Sequence, residues 1–419
     1  MYESSLAIKR SGILKTLNRA GFLANSLGIR LFELDQNKIL QHAARVAGFE
    51  FRDEPMEQGL ARLITSIRSD ARLNTVGKLA LKRNIQRAAD HRFLVERSLA
   101  ENPSIRRSAI RTPLFVIGMP RTGTSILQAL LYRDPAHRSP LSWECLMPHP
   151  APQPDNYADD PRVKRIQSEF SQLFTLVPDF RKKHYMEADS PQECVGITAL
   201  NFTSFQYLTQ CFIPAYHEWF ANQADQVANL RWHKSFLQFL QSGGVSTERW
   251  LLKSPVHLCR LRALFEVYPD ARIVMTHRHP ASIVPSVASL LTSIRSLYSD
   301  HEDSARTARE NLQIWSSYFN RFVEDKSLLG KDDQIIDLQF EDFVRDPLGV
   351  VRSIYRRFGW ELGDVAEQNM QEFLLQEQKD KHGRHEYSLE QFGLSEQDVA
   401  DCFRVYLDFL DERTTADAA

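Results

Sequence analysis

An α/β fold, a phosphate-loop-like parallel sheet flanked by helices, is predicted by three features of the sequence. Short apolar runs recur at 114–117, 250–252, 271–275 and 334–338, the first continuous, as a strand buried on both faces requires. The first run passes through a glycine loop, Gly118 to Ser125, directly into an apolar helical pattern. Helical spacing dominates the remainder, which adds an N-terminal helical cap and helical insertions to the sheet.

The chain has 419 residues, 43% hydrophobic and 25% charged, enough for one large core with helical layers around it. Lysine and arginine total 52 against 53 acidic residues, so no net field gathers nucleic acid or an anionic membrane, and an anion site has to be local. No apolar stretch is long enough to span a bilayer. Charges at Glu3, Lys9, Arg10, Lys15 and Arg19 interrupt any secretion signal. The five cysteines, Cys145, Cys194, Cys211, Cys259 and Cys402, are odd in number and widely spaced, which reads as buried thiols in the reducing cytoplasm.

Taken in order, residues 1–111 form a helical N-terminal region, with apolar residues at helical spacing from Asp35 to about Ala100. A core from 112 to 365 follows, with a helical acceptor-side insertion at about 150–245, and then a C-terminal segment and helix at 366–419. The strand at 114–117 leads to a helix over 124–132 that Asp134-Pro135 ends. Strands at 250–252 and 271–275 are separated by a helical pattern over 257–268, and the last strand, 334–338, precedes a helix over 347–358 closed by Gly359.

Gly118, four intervening residues and Gly123, with hydroxyl residues opening the next helix, match a loop whose backbone N–H groups and helix dipole face an anion. A nucleoside-triphosphate loop has lysine directly after the second glycine. Here that position is Thr124, and the cation, Arg121, lies inside the loop. The same glycines would also serve a plain strand-to-helix turn. At the end of the run 271–275, Arg278 is followed eight residues later by Ser286, and the two can converge on one phosphate, although a helix serine also bonds to its own backbone. Lys253 ends the run 250–252, where ligands of open parallel sheets gather.

With these segments together the chain resembles the sulfotransferase superfamily that uses 3′-phosphoadenosine-5′-phosphosulfate, particularly its bacterial-type branch near the tyrosylprotein sulfotransferases. The resemblance lies in residues 113–134, 250–289 and 381–394. Pro120-Arg121-Thr122-Gly123-Thr124-Ser125 matches the family loop, with Thr122 in place of the usual serine. The resemblance implies that this loop grips the 5′-phosphosulfate, that Arg278 and Ser286 hold the 3′-phosphate, and that Lys253 steadies the leaving phosphate. It also implies that Lys381, His382, Gly383 and Arg384 close over the donor. The alternative for that last segment is a basic turn before the final helix, which Ser395 and Asp398 would cap.

Sulfuryl transfer to a hydroxyl or amine needs a base, in-line approach, and positive charge where the leaving group develops its negative charge. Arg121 and Lys253 supply the charge, and no metal is expected. Two residues compete for the base: Glu144, which the tyrosylprotein branch matches, and His257, placed like the histidine of cytosolic sulfotransferases. Either could be structural, Glu144 as a surface helix residue and His257 as a satisfied histidine. The rival functions are a nucleotide-dependent kinase, for which Asp337 would imitate a magnesium-binding strand end, and a non-catalytic nucleotide-binding protein. The acceptor, whether small molecule, glycan or lipid, is not written in the motifs. The aromatic residues Phe202, Phe205, Tyr207, Phe212, Tyr216, Trp219 and Phe220 suit an apolar cleft or, more commonly, a core.

Overall fold

The computed structural model describes residues 12–27, 32–177, 186–376 and 387–417. The chain divides into two compact units. A helical unit comprises Met1–Ile110, Pro140–Ser246 and Leu291–Glu302, and a sheet unit comprises Arg111–Ser139, Thr247–Leu290 and Asp303–Ala419.

Each of the four apolar runs is a strand of the sheet unit: β1 (Leu114–Gly118), β3 (Arg249–Lys253), β4 (Arg272–His277) and β5 (Ile335–Gln339). A fifth, β2 (His137–Arg138), carries no apolar signal because both its residues are polar, and only its pairing with β3 defines it. All pairings are parallel, in the order β2-β3-β1-β4-β5. β1 is therefore central, and every one of its residues is buried, as its unbroken apolar run requires.

β1 also lies between β3 and β4, so the connection joining those two strands in sequence passes over it. That connection opens as a 3₁₀ turn, Pro255–Arg260, before the helix Leu261–Val267, where the sequence pattern predicts one helix. The helix α1 (Thr124–Leu131) packs Leu127, Leu130 and Leu131 against Leu114, Val116, Leu251 and Val274 of the sheet. The same core continues into Val350, Val351 and Ile354 of the helix Pro347–Phe358, which ends on left-handed Gly359 as expected. Three further helices matter for the site: α2 (Pro280–Tyr298), α3 (Ser304–Leu329) and α4 (Arg404–Asp417). The short helix before α4, Glu396–Cys402, starts on the Ser395 and Asp398 capping box that the sequence contains.

In the helical unit, the helices Gln36–Ala47, Glu54–Ser69 and Thr75–Glu101 start on side-chain caps from Asp35, Asp53 and Asn74. Arg92, 1% exposed, ties this layer together. It pairs with Asp53 at 2.7 Å and with Glu96, and its guanidinium lies 3.7 Å from the Trp232 ring centre. The aromatic residues of the insertion form packed core rather than the lining of a cleft. Tyr216 stacks against Phe220 and Trp219, donates to the Phe202 carbonyl at 2.7 Å, and is fully buried.

Removing Arg92 takes its cation from Asp53, while Glu96 keeps its pair with Arg106. Arg92→Leu is expected to lower the unfolding free energy of the whole protein by about 3 kcal/mol, read by urea denaturation. An unchanged midpoint would show that Asp53 finds water instead.

Candidate active site

Parallel pairing brings three strand ends side by side. Gly118 pairs with Thr276 across β1 and β4, and Val116 with Lys253 across β1 and β3. The glycine loop, Lys253 and Arg278 therefore leave the sheet at the same edge, the edge at which open parallel sheets bind ligands.

The loop has a shape that few residues can adopt. Gly118 has φ 144°, and a Cβ there would lie 2.2 Å from Thr276 Oγ1. Gly123, at φ 83°, faces the Phe340 ring, which a Cβ would meet at 3.1 Å. Between them Arg121 takes φ 75° without being glycine, a backbone state that costs about 1–3 kcal/mol and is found mainly where function demands it. Thr122 is turned inward, 1% exposed, donating to the Met119 carbonyl at 2.7 Å and lying 2.6 Å from Thr276 Oγ1. Its hydroxyl thus fastens the loop to β4 and is not presented on the loop's surface. Pro120 is half-buried, Thr124 is buried at the start of α1, and Ser125 is exposed. Thr276 carries no motif signal, since it sits as a single polar residue inside an apolar strand.

Arg121 and Arg278 stand together although both are cations. Arg121 Nε donates to Ser286 Oγ at 3.1 Å, while Arg278 Nη1 donates to the Arg121 carbonyl at 3.0 Å. The Arg278 guanidinium lies 4.3 Å from the Phe340 ring centre. Burial and the neighbouring Arg121 charge hold its pKa below the usual arginine value, partly opposed by Glu341. Two guanidiniums held this close, one on the Ser286 hydroxyl and the other on the Arg121 carbonyl, can pair with an anion. Lys253, 4% exposed, donates to Ser125 Oγ at 3.1 Å, so its ammonium lies at the start of α1. The spacing of Arg278 and Ser286, together with the strand-end position of Lys253, therefore pointed to side chains that do meet the loop.

The two base candidates have different surroundings. His257 is fully buried in the 3₁₀ turn, with Arg260 Nε donating to its Nδ1 at 3.2 Å and Phe115 packed edge-on at 5.2 Å. Accepting at Nδ1 puts the neutral ring's proton on Nε2, an assignment made from the hydrogen-bond pattern, so its basic lone pair is already engaged. Glu144 belongs to the helical unit and is also fully buried, not a surface residue. Its Oε2 accepts the Leu141 N–H at 2.8 Å, and its Oε1 accepts from the Tyr157 hydroxyl at 3.3 Å. The helix that carries it, Ser142–Leu146, has its first N–H groups satisfied by the carbonyls of Ser190 and Ala188. Trp143 beside it is covered by Arg162, whose guanidinium lies 4.5 Å from the ring centre.

Lys381, His382, Gly383 and Arg384 lie outside the described residues. Asp337, the carboxylate expected to imitate a magnesium ligand, lies in the middle of β5 and is engaged by His277 at 2.8 Å and by Lys326. Burial alone would raise its pKa, but these two partners bring it down to about 2.

Comparison with known proteins adds a family. The model described as "Sulfotransferase family" matches residues 113–364. An omega-hydroxy-beta-dihydromenaquinone-9 sulfotransferase, Stf3, from Mycobacterium bovis is 27% identical over 261 residues, and the same enzyme from Mycobacterium tuberculosis matches equally. That alignment takes in 60% of this chain, which spans 63% of the length of these curated relatives. Among solved structures, sulfotransferase STF9 from Mycobacterium avium is 27% identical, with a TM-score of 0.82 over 89% of this chain and 96% of that one. Sulfotransferase STF1 from Mycobacterium tuberculosis is 28% identical, with a TM-score of 0.77 over 88% of this chain and 98% of that one.

Gly118→Ala is expected to destabilise the protein by about 2–4 kcal/mol, because the added methyl drives into Thr276 in a disfavoured backbone state. Inorganic pyrophosphate should raise the Tm of the natural protein and leave that of the variant unmoved. An equal shift in both would mean that the loop does not form the anion cradle.

Proposed function

The chain belongs to the sulfotransferase family, and from that premise we propose that it transfers the sulfuryl group of 3′-phosphoadenosine-5′-phosphosulfate to a hydroxyl acceptor. The observation that carries the donor is the set of cations at the loop: Arg121 on Ser286, Arg278 on the Arg121 carbonyl, and Lys253 on Ser125 at the start of α1. A nucleoside triphosphate needs one run of phosphate contacts. A donor with a separate 3′-phosphate needs two, and the loop with Lys253 is one and the arginine pair the other. The engaged Asp337 and the missing loop lysine both speak against a kinase.

In the proposed reaction the acceptor oxygen gives its proton to a base and attacks sulfur. The bond from sulfur to the 5′-phosphate oxygen breaks, and 3′-phosphoadenosine-5′-phosphate leaves with the bonding pair. Lys253 and the N–H groups at the start of α1 face the oxygen that gains charge, which lowers the barrier without metal assistance. The base we assign is Glu144, a fully buried carboxylate whose Oε1 accepts from the Tyr157 hydroxyl and whose Oε2 accepts the Leu141 N–H. His257 is the weaker choice because its Nδ1 already accepts from Arg260.

For the acceptor we propose a hydroxylated, lipid-like molecule, on the pattern of the mycobacterial relative named for a hydroxylated menaquinone. The buried free thiols Cys145, Cys194, Cys211 and Cys259 fit a reducing compartment, and we assign the chain to the cytoplasm.

Purified protein given donor labelled in the sulfuryl group should label a hydroxylated isoprenoid quinone and leave its unhydroxylated parent unlabelled. Label in neither, or in phenols alone, would overturn the acceptor. Glu144→Gln should cut turnover about 100-fold or more while leaving donor affinity intact. Near-normal turnover would transfer the role to His257.

A further inference from the structure

Directly before Arg278, β4 ends in His277, a fully buried ring that the proposed chemistry does not use. Its Nε2 is 2.8 Å from Asp337 Oδ1 on β5, and its Nδ1 is 2.9 Å from the Tyr406 hydroxyl on α4. Lys326 of α3 donates to the other oxygen of Asp337. One proton assignment serves every contact. Lys326 and His277 Nε2–H donate to an ionised Asp337, and His277 Nδ1 accepts from the Tyr406 O–H.

These polar groups sit among rings that need none of them. Phe319 lies 4.1 Å from Tyr406, and Phe322 and Phe409 flank His277. Apolar residues of similar volume would fill such a place as stably, so a buried charged network here is better explained by the geometry it fixes. It grips the ring of His277, the last residue of β4, directly before Arg278, whose side chain departs toward Phe340 and the Arg121 carbonyl.

We propose that Tyr406, with His277, Asp337 and Lys326 behind it, is the positioning element of the 3′-phosphate clamp, fixing the backbone at the end of β4 so that Arg278 meets that phosphate. This rests on the donor reading above. Tyr406 touches no reacting atom. Its loss weakens recognition of the 3′-phosphate and leaves the 5′-side contacts of Lys253 and the loop in place.

The test compares two nucleotides by calorimetry, 3′-phosphoadenosine-5′-phosphate and adenosine 5′-monophosphate, on the natural protein, Tyr406→Phe and Asp337→Asn. The natural protein should bind the bisphosphate far more tightly. Both variants should lose about 10-fold in bisphosphate affinity and no more than about twofold in monophosphate affinity, the loss of one well-aimed charge-assisted contact. In turnover assays, KM for the donor should rise by a similar factor while kcat holds. Equal losses for both nucleotides would make the network structural only, and full discrimination in both variants would also overturn the inference. A natural protein that fails to prefer the bisphosphate would instead overturn the donor reading itself.

Discussion

Gly118 and Thr276 stand so close that no side chain fits between the end of β1 and the end of β4, and the site depends on that approach. The missing Cβ lets the chain leave the central strand with positive φ and lets Thr276 reach Thr122. The two hydroxyls then hold the loop against the sheet. Arg121 sits in its unfavourable backbone state because the loop is fastened on either side of it, and its carbonyl is thereby turned to accept from Arg278. One close contact in the sheet thus sets where two cations lie, and the Arg121 cation inside the loop, bonded to Ser286 with Arg278 on its carbonyl, distinguishes this site from an ordinary phosphate loop.

The sheet unit spends stability to build that edge. Two arginines repel each other, a non-glycine residue holds a left-handed backbone, and an Asp, a Lys and a His are buried under the strand ends. The compensation lies in the central strand and in the apolar core of α1 and the helix Pro347–Phe358 that covers it. In the helical unit a comparable role falls to Arg92, which joins three helical segments through two carboxylates and the Trp232 face.

Much of this was legible in the sequence for a simple reason. A strand buried on both faces is largely apolar, so each run announced itself, and the strand ends then placed Lys253 and Arg278 without further information. β2 was not legible because two polar residues become a strand only by pairing. The turn at Pro255–Arg260 was not legible because 3₁₀ and α periods are too similar over six residues. Thr276, Phe340 and Tyr406 lay hidden for another reason. Each acts through a partner distant in sequence, and a lone polar or aromatic residue in an apolar stretch reads as core. The bond from Arg260 to His257 spans three residues, a local contact that spacing could have suggested.

The most direct test of the account is a crystal structure of this protein with 3′-phosphoadenosine-5′-phosphate. The account predicts the 5′-phosphate on the N–H groups of the loop and on Lys253. It places the 3′-phosphate between Arg278, Ser286 and Arg121, where it displaces the bond between Arg121 and Ser286. A bisphosphate bound with its 3′-phosphate in solvent, or bound away from the end of β1, would contradict it.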